Sequence, residues 1–139
     1  MSAEEKRVWI YAVIAIGVPA VYFTIILRQV PTTDVTQIAY VWPLLTAIGI
    51  AIAVNVVASI VTAIASPKEA NLKDERDTDI HLYGQRAEYY VLVIGAVAAL
   101  GLTLASFEHF WIANALYLTF VLSALTSSIV KIVAYRRGF

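Results

Sequence analysis

Long apolar runs alternate with short polar stretches along the whole chain. Four of these runs approach or exceed the roughly 18–20 residues that a helix needs to cross a hydrocarbon core about 30 Å thick. They occupy residues 8–27, 38–64, 89–106 and 110–134. Residues 1–139 are therefore predicted to form a single all-α membrane domain, a four-helix transmembrane bundle.

Capping patterns predict where the helices begin. Residues 2–5 read Ser-Ala-Glu-Glu, a capping box at the start of the first helix. Residues 34–37 repeat the pattern with Asp and Gln, which predicts that the second helix begins near Val35. Residues 66–69 give a third signal, with Pro67 at the first helical position. We therefore expect a helix to run from Pro67 through the polar stretch into the third span.

The polar stretch Lys73–Tyr90 holds eight charged residues and one of the two histidines. It belongs to a charged segment, residues 66–88, that precedes the third span. Nine of the ten Lys and Arg residues fall on the side of the bundle that contains this segment, and only Arg28 falls on the other. Because positive charge is retained on the cytoplasmic side, both termini and the segment are predicted to be cytoplasmic.

A motif in this segment is similar to one in a known group of proteins. It comprises Asp74-Glu75-Arg76-Asp77, then Ile80, then Gly84-Gln85-Arg86, and Tyr89-Tyr90 at the start of the third span. This pattern resembles a family of small prokaryotic multi-pass membrane proteins of unknown function. The resemblance covers about residues 74–95, implies a location in the prokaryotic cytoplasmic (inner) membrane, and carries no activity.

The motif gives candidate residues for contact with a partner or an ion. On a helix, one stripe contains acidic residues and a histidine, and we expect Asp74, Asp77 and His81 to face water. The opposite stripe is expected to be buried and contains Ile80, Tyr83, Ala87 and Tyr90. Asp77 and His81, four residues apart, are a weak candidate metal pair; the favoured interpretation is a solvated face. The candidate contact residues are Asp74, Glu75, Arg76, Asp77, His81, Arg86 and Glu88.

Polar and small side chains within the spans give a second set of candidates. A seam of small and weakly polar residues in the second span contains Asn55 and Thr62, and such seams favour close helix packing. A pore lining is the less favoured alternative. Lys131 is expected to extend to the interface or to pair with Glu88. The candidate intramembrane residues are Asn55, Thr62, Gly95, Asn114, Ser128 and Lys131.

The two halves of the chain show a weak internal repeat. Trp42 lies 69 residues before Trp111, and residues 59–65 resemble residues 128–134 at the same offset. Arg7-x-x-x-Tyr11 resembles residues 86–90 at an offset of 79. The sequence therefore suggests a parallel repeat of two helical hairpins, related by an axis along the membrane normal.

Composition narrows the possible functions. The chain has no cysteine, which excludes disulfides and thiolate chemistry. Its net charge is zero, which argues against a nucleic-acid partner. No catalytic set, phosphate loop or haem-ligand pair is present, so no cofactor is expected. The leading hypothesis is a non-enzymatic membrane protein that acts through self-association or through a cytoplasmic or membrane protein partner bound to residues 73–90. A homo-oligomeric channel or transporter for a small solute or ion is the alternative.

Overall fold

The computed structural model describes residues 2–65 and 74–138. These residues form four long helices and a short 3-10 turn at Val35–Gln37, without a β-strand. The helices are α1 (Ala3–Leu27), α2 (Val41–Ala65), α3 (Glu75–Leu104) and α4 (His109–Arg137). Each is long and apolar enough to cross a membrane. The predicted all-α class with four helices of spanning length is therefore confirmed for the described residues.

The first two helix starts differ in how well the sequence predicted them. The Ser2 hydroxyl accepts a hydrogen bond from the Glu5 backbone N–H at 3.1 Å, so α1 begins where its capping pattern indicates. Asp34 instead caps only the 3-10 turn, and α2 begins at Val41. The predicted start near Val35 is wrong. A helix begun there would carry Pro43 in its interior, whereas a start at Val41 places that proline in the first turn, where no N–H is needed.

The start of α3 also differs from the prediction. Asp74 is extended (φ −90°, ψ 175°) and shares a reciprocal capping box with Asp77. The helix expected from Pro67 is therefore not continuous with the third span, and the capping pattern at residues 66–69 itself lies outside the described residues. From Glu75 onward, however, α3 runs unbroken for 30 residues into the predicted span, as expected.

The four helices form an open row in the order α2, α1, α4, α3. α1 packs against α2 and α4, and α4 packs against α3 as well. The two outer helices are consequently exposed along most of their length. In α2 the buried residue is Ala47 alone, and in the apolar part of α3 it is Ala99. The half-buried side of α2 carries Asn55 and Thr62 and lies towards α1, so this seam packs within the subunit.

An aromatic cluster joins the helices at the end of the bundle far from the termini. The rings of Tyr22 and Tyr117 meet edge to face with centroids 5.1 Å apart. Those of Tyr40 and Phe110 do so at 5.5 Å. Such pairs stabilise beyond simple area burial. The cluster fixes the contact between α1 and α4 at one end, and the charged residues fix it at the other.

Candidate functional site

The charged end of the bundle is organised around Asp77. Its Oδ1 accepts a hydrogen bond from the Tyr135 hydroxyl of α4 at 2.6 Å. Asp77 is 8% exposed, so the prediction that it faces water is wrong. A carboxylate tolerates this burial because the tyrosine and the Asp74 backbone N–H both bond to it.

The buried stripe of α3 is rotated from the predicted one. Asp77, Ile80 and Gly84 form it, at helical spacings of three and four. The expected burial of Ile80 is confirmed, but Tyr83 and Tyr90 are 53% and 67% exposed. The polar character of Asp77 concealed its position on the packed side, because its hydrogen-bond partner lies 58 residues away in sequence.

Arg76 binds the end of α4. Its Nη2 donates to the backbone oxygens of Ala134 (3.5 Å) and Tyr135 (3.2 Å). Both carbonyls lie in the last turn of α4, at the negative end of the helix dipole, and the Ala134 carbonyl also accepts from the Gly138 backbone N–H at 3.1 Å. The guanidinium carbon also lies 5.7 Å from the Tyr135 ring centroid, within range of a cation–π contact.

Lys131 crosses from α4 to α3. Its Nζ lies 3.2 Å from His81 Nδ1, and its aliphatic stem packs on Gly84. A Cβ atom at position 84 would approach the Lys131 Cε to 2.6 Å, so glycine makes room for the stem. The ammonium group beside His81 places positive charge next to the weak candidate metal pair of Asp77 and His81. Among residues 2–65 and 74–138 no group of three or more His, Cys, Asp and Glu residues could hold a metal ion.

Ion pairs connect α1 to the same end of the bundle. Arg136 Nε lies 3.0 Å from Glu5 Oε1 across the α1–α4 contact. Within α1, Arg7 Nη1 lies 3.0 Å from Glu4 Oε1. Three helices are thus joined by polar contacts, and the start of α3 is held against the bundle.

A cavity of about 290 Å³ opens between α1 and α3 over the surface of α4. Ten of its thirteen lining residues have polar side chains, which come from three helices. Ser127 and Ser128 are each 5% exposed and lie on its α4 wall. Its polar lining residues are Glu4, Arg7, Tyr11, Asp77, His81, Glu88, Ser127, Ser128, Lys131 and Tyr135. Glu88 and Lys131 therefore line one cavity, and their predicted ion pair stays a prediction.

The polar side chains within the spans bond mainly to helix backbone and to one another. The Tyr22 hydroxyl donates to Asn114 Oδ1 at 2.6 Å, and Asn114 Nδ2 donates to the Phe110 carbonyl at 2.8 Å. Asn55 Nδ2 donates to Ala51 O at 2.9 Å, whereas Asn55 Oδ1 is buried without a partner among the described residues. The Thr62 hydroxyl donates to its own helix, at the Ala58 carbonyl.

Sequence reasoning missed several residues that hold this arrangement together. Tyr135 lies just beyond the predicted fourth span, and Glu5 is predicted only as part of a helix cap. The one local signal was the Asp-x-x-Asp spacing of residues 74–77, which matches the observed capping box. Among the predicted contact residues, Glu75 and Arg86 lie exposed on the outward side of α3.

Comparisons with known proteins add no relatives: no family model, curated protein or solved structure matches this chain. The resemblance of residues 74–95 to a prokaryotic membrane protein family accordingly stays a prediction.

Proposed function

We propose that this protein is a non-enzymatic integral membrane protein that acts as a homo-oligomer, with both termini on the cytoplasmic side of a prokaryotic membrane. The observation that carries the proposal is the open row of helices. α1 and α4 each pack on two neighbours, whereas α2 and α3 each pack on one. The free sides of the outer helices are the surfaces that a second copy would use.

The internal repeat specifies which surfaces those are. Within the chain, α4 presents a seam to α1 that contains Asn114 and Tyr117. In the predicted repeat, the equivalent positions 69 residues earlier are Leu45 and Ile48 of α2. Leu45 and Ile48 are 53% and 39% exposed, so the equivalent seam of α2 has no neighbour within the subunit.

The matching surface of α3 is also open. The positions equivalent to Tyr11 and Tyr22 of α1, 79 residues later in the predicted repeat, are Tyr90 and Gly101 of α3. Tyr90 is 67% exposed, and a Cβ atom at Gly101 would meet no atom within 4 Å. We therefore propose that α3 of one copy packs against α2 of the next, antiparallel, as α1 packs against α4. A head-to-tail contact of this kind forms a ring where the rotation between successive copies closes.

Crosslinking between singly substituted chains tests the proposal, because the protein has no native cysteine. The Tyr22–Asn114 contact maps onto Gly101 and Leu45. Differently tagged Leu45→Cys and Gly101→Cys chains are co-expressed, and their membranes are treated with a short bifunctional thiol reagent. We expect a heterodimer on denaturing gels. Thr46→Cys is the matched control, one residue along α2 and turned about 100° away. Equal crosslinking of Thr46 and Leu45, or none at either, would refute the interface.

A second candidate function is the docking of a protein partner on the exposed side of the charged segment. The contacts of Asp77 and Arg76 with α4 hold this part of α3 against the bundle, while Leu82 is 48% exposed and Arg86 is exposed on its outer side. A pull-down from native membranes tests it with Leu82→Ala/Arg86→Ala as the variant and Asp79→Asn as the control. A partner retained equally by both would rule out this surface.

The alternative of a channel or transporter receives less support. Tyr22, Asn55, Thr62 and Asn114 bond to helix carbonyls or to each other. That pattern is typical of helix packing. Ion or solute flux in liposomes above that of empty vesicles would favour the alternative.

A further inference from the structure

A shallow pocket of about 220 Å³ lies on the outer side of α3, away from the Gly84 side that meets α4. Its lining comes from α3 alone, at helical spacings of three and four. The lining residues are Leu82, Gln85, Arg86, Tyr89 and Tyr90. All five side chains are exposed. The pocket is therefore open to the surroundings of the protein at this level of the helix.

The position of the pocket along α3 corresponds to the lipid headgroup layer. Tyr89 and Tyr90 begin the apolar run of residues 89–106, which contains no Asp, Glu, Lys or Arg. Arg86 precedes Tyr89 by three residues, an axial distance of about 5 Å. The headgroup layer on each side of the hydrocarbon core is about 5–8 Å thick. In a protein that crosses the membrane through α3, the Arg86 guanidinium therefore lies at the depth of phospholipid phosphates, beside tyrosines of the kind enriched at this interface.

Arg86 has no counter-ion on this side of the helix. No ion pair within residues 2–65 and 74–138 includes it. The nearest carboxylate in sequence, that of Glu88, lines the polar cavity on another side of α3. The residues one turn away from Arg86 carry no acidic group, and they are Leu82, Tyr83, Tyr89 and Tyr90. The pocket consequently has a single positive charge that no described residue balances.

We propose that this pocket binds the phosphate of an anionic phospholipid, whose acyl chains lie along the apolar side of α3. The guanidinium is a planar donor that matches the oxygens of a phosphate in pairs. The Tyr89 hydroxyl and the Gln85 amide are further hydrogen-bond donors on the same side. Towards the apolar part of the helix, this side continues in the exposed side chains of Val93 and Val97. The proposal rests on the membrane location proposed above, and it needs only one copy of the chain.

The net charge of the lipid decides which phospholipid the pocket favours. In phosphatidylcholine the phosphate charge is balanced by the lipid's own ammonium group, and the pocket has no carboxylate to bind that ammonium. Phosphatidylglycerol carries the phosphate charge alone, so its attraction to Arg86 is not offset. A basic residue near an anionic membrane surface contributes about 1 kcal/mol, which corresponds to about fivefold in affinity.

Native mass spectrometry of the full chain in detergent micelles tests the assignment, because it resolves individual bound lipids. The probes are dioleoylphosphatidylglycerol and dioleoylphosphatidylcholine, titrated separately. We expect the wild type to bind phosphatidylglycerol about fivefold more tightly, and Arg86→Gln to lose this preference. Arg86→Lys keeps the charge and should keep most of the preference. Arg137→Gln is the matched control, because it removes the same charge from an exposed residue outside the pocket.

Three outcomes of this experiment would overturn the proposal. They are equal binding of the two lipids by the wild type, an unchanged preference in Arg86→Gln, and an equal loss of preference in Arg86→Gln and Arg137→Gln. The last result would indicate a general attraction to the charged end of the bundle.

A membrane pull-down separates this lipid from the protein partner considered above for the same side of α3. Loss of a captured protein in Arg86→Gln, with the lipid preference retained, would assign Arg86 to that protein and exclude the lipid site. The crosslink between Leu45→Cys and Gly101→Cys uses residues outside the pocket, so it tests the oligomer separately.

Discussion

Gly95 lies where α3 and α4 approach closely, and its substitution tests how these helices pack. A Cβ atom built at position 95 would overlap the methyl and hydroxyl of Thr119 and come within 2.7 Å of Thr119 Cβ. Ordinary carbon contacts are about 3.5–4.0 Å, so the two helices would have to separate by about 1 Å. A Cβ atom at Gly17 in α1 would meet no atom within 4 Å, so Gly17→Ala is the matched control.

The magnitude follows from two opposing effects. Alanine is a better helix former than glycine by about 1 kcal/mol, so Gly17→Ala should stabilise the protein or leave it unchanged. Gly95→Ala gains the same propensity but pays for overpacking, which typically costs about 1–3 kcal/mol. We expect the free energy of unfolding of Gly95→Ala to fall below that of Gly17→Ala by about 1–3 kcal/mol. Gly95→Leu should be worse still, and worse than Val97→Leu, whose side chain is 63% exposed.

The assay is unfolding of the purified protein in mixed micelles by added denaturing detergent, followed by circular dichroism. Thr119→Ala in the Gly95→Ala background removes the methyl and the hydroxyl but keeps Thr119 Cβ, so we expect partial recovery. A double-mutant cycle isolates this coupling from the separate effects of each change. Equal stability of Gly95→Ala and Gly17→Ala, or no recovery in the double variant, would refute the close α3–α4 contact.

Three further predictions concern individual hydrogen bonds. Tyr135→Phe leaves the buried Asp77 carboxylate without its α4 donor, so we expect the free energy of unfolding to fall by about 1–3 kcal/mol. Amide exchange in residues 75–84 should become faster than in the control Asp79→Asn, and equal exchange in the two variants would contradict the bond. Tyr22→Phe removes the donor to Asn114 and should cost about 0.6–1.7 kcal/mol in detergent unfolding, with exposed Tyr89→Phe as the control. The Thr36 backbone N–H and hydroxyl bond to the ionised Asp34 carboxylate and lower the pKa of Asp34. Ionised Asp34 therefore supports the 3-10 turn above its unfolded-state pKa, and this support is lost as pH falls through the lowered folded-state pKa. An NMR titration midpoint for Asp34 at or above the unfolded-state pKa would contradict this.

The parts of the fold that depend on local sequence were predictable. The length of each apolar run identified the four helices, and the Ser2 cap located the start of α1 because its partner is three residues away. The start of α2 is less predictable, because the Asp34 capping pattern indicates a start near Val35 whereas Pro43 is compatible only with the first turn of a helix. These features require only neighbouring residues and the geometry of one helix.

The candidate site was less predictable because its contacts connect distant parts of the chain. A helical projection shows which residues share a side of α3, but not which side meets α4. Asp77 shares a helical stripe with Asp74 and His81, and this polar stripe is predicted to face water. The Tyr135 hydroxyl instead bonds to Asp77 on the packed side of α3. Arg76 likewise binds backbone carbonyls of α4, and no side-chain pattern reveals such acceptors.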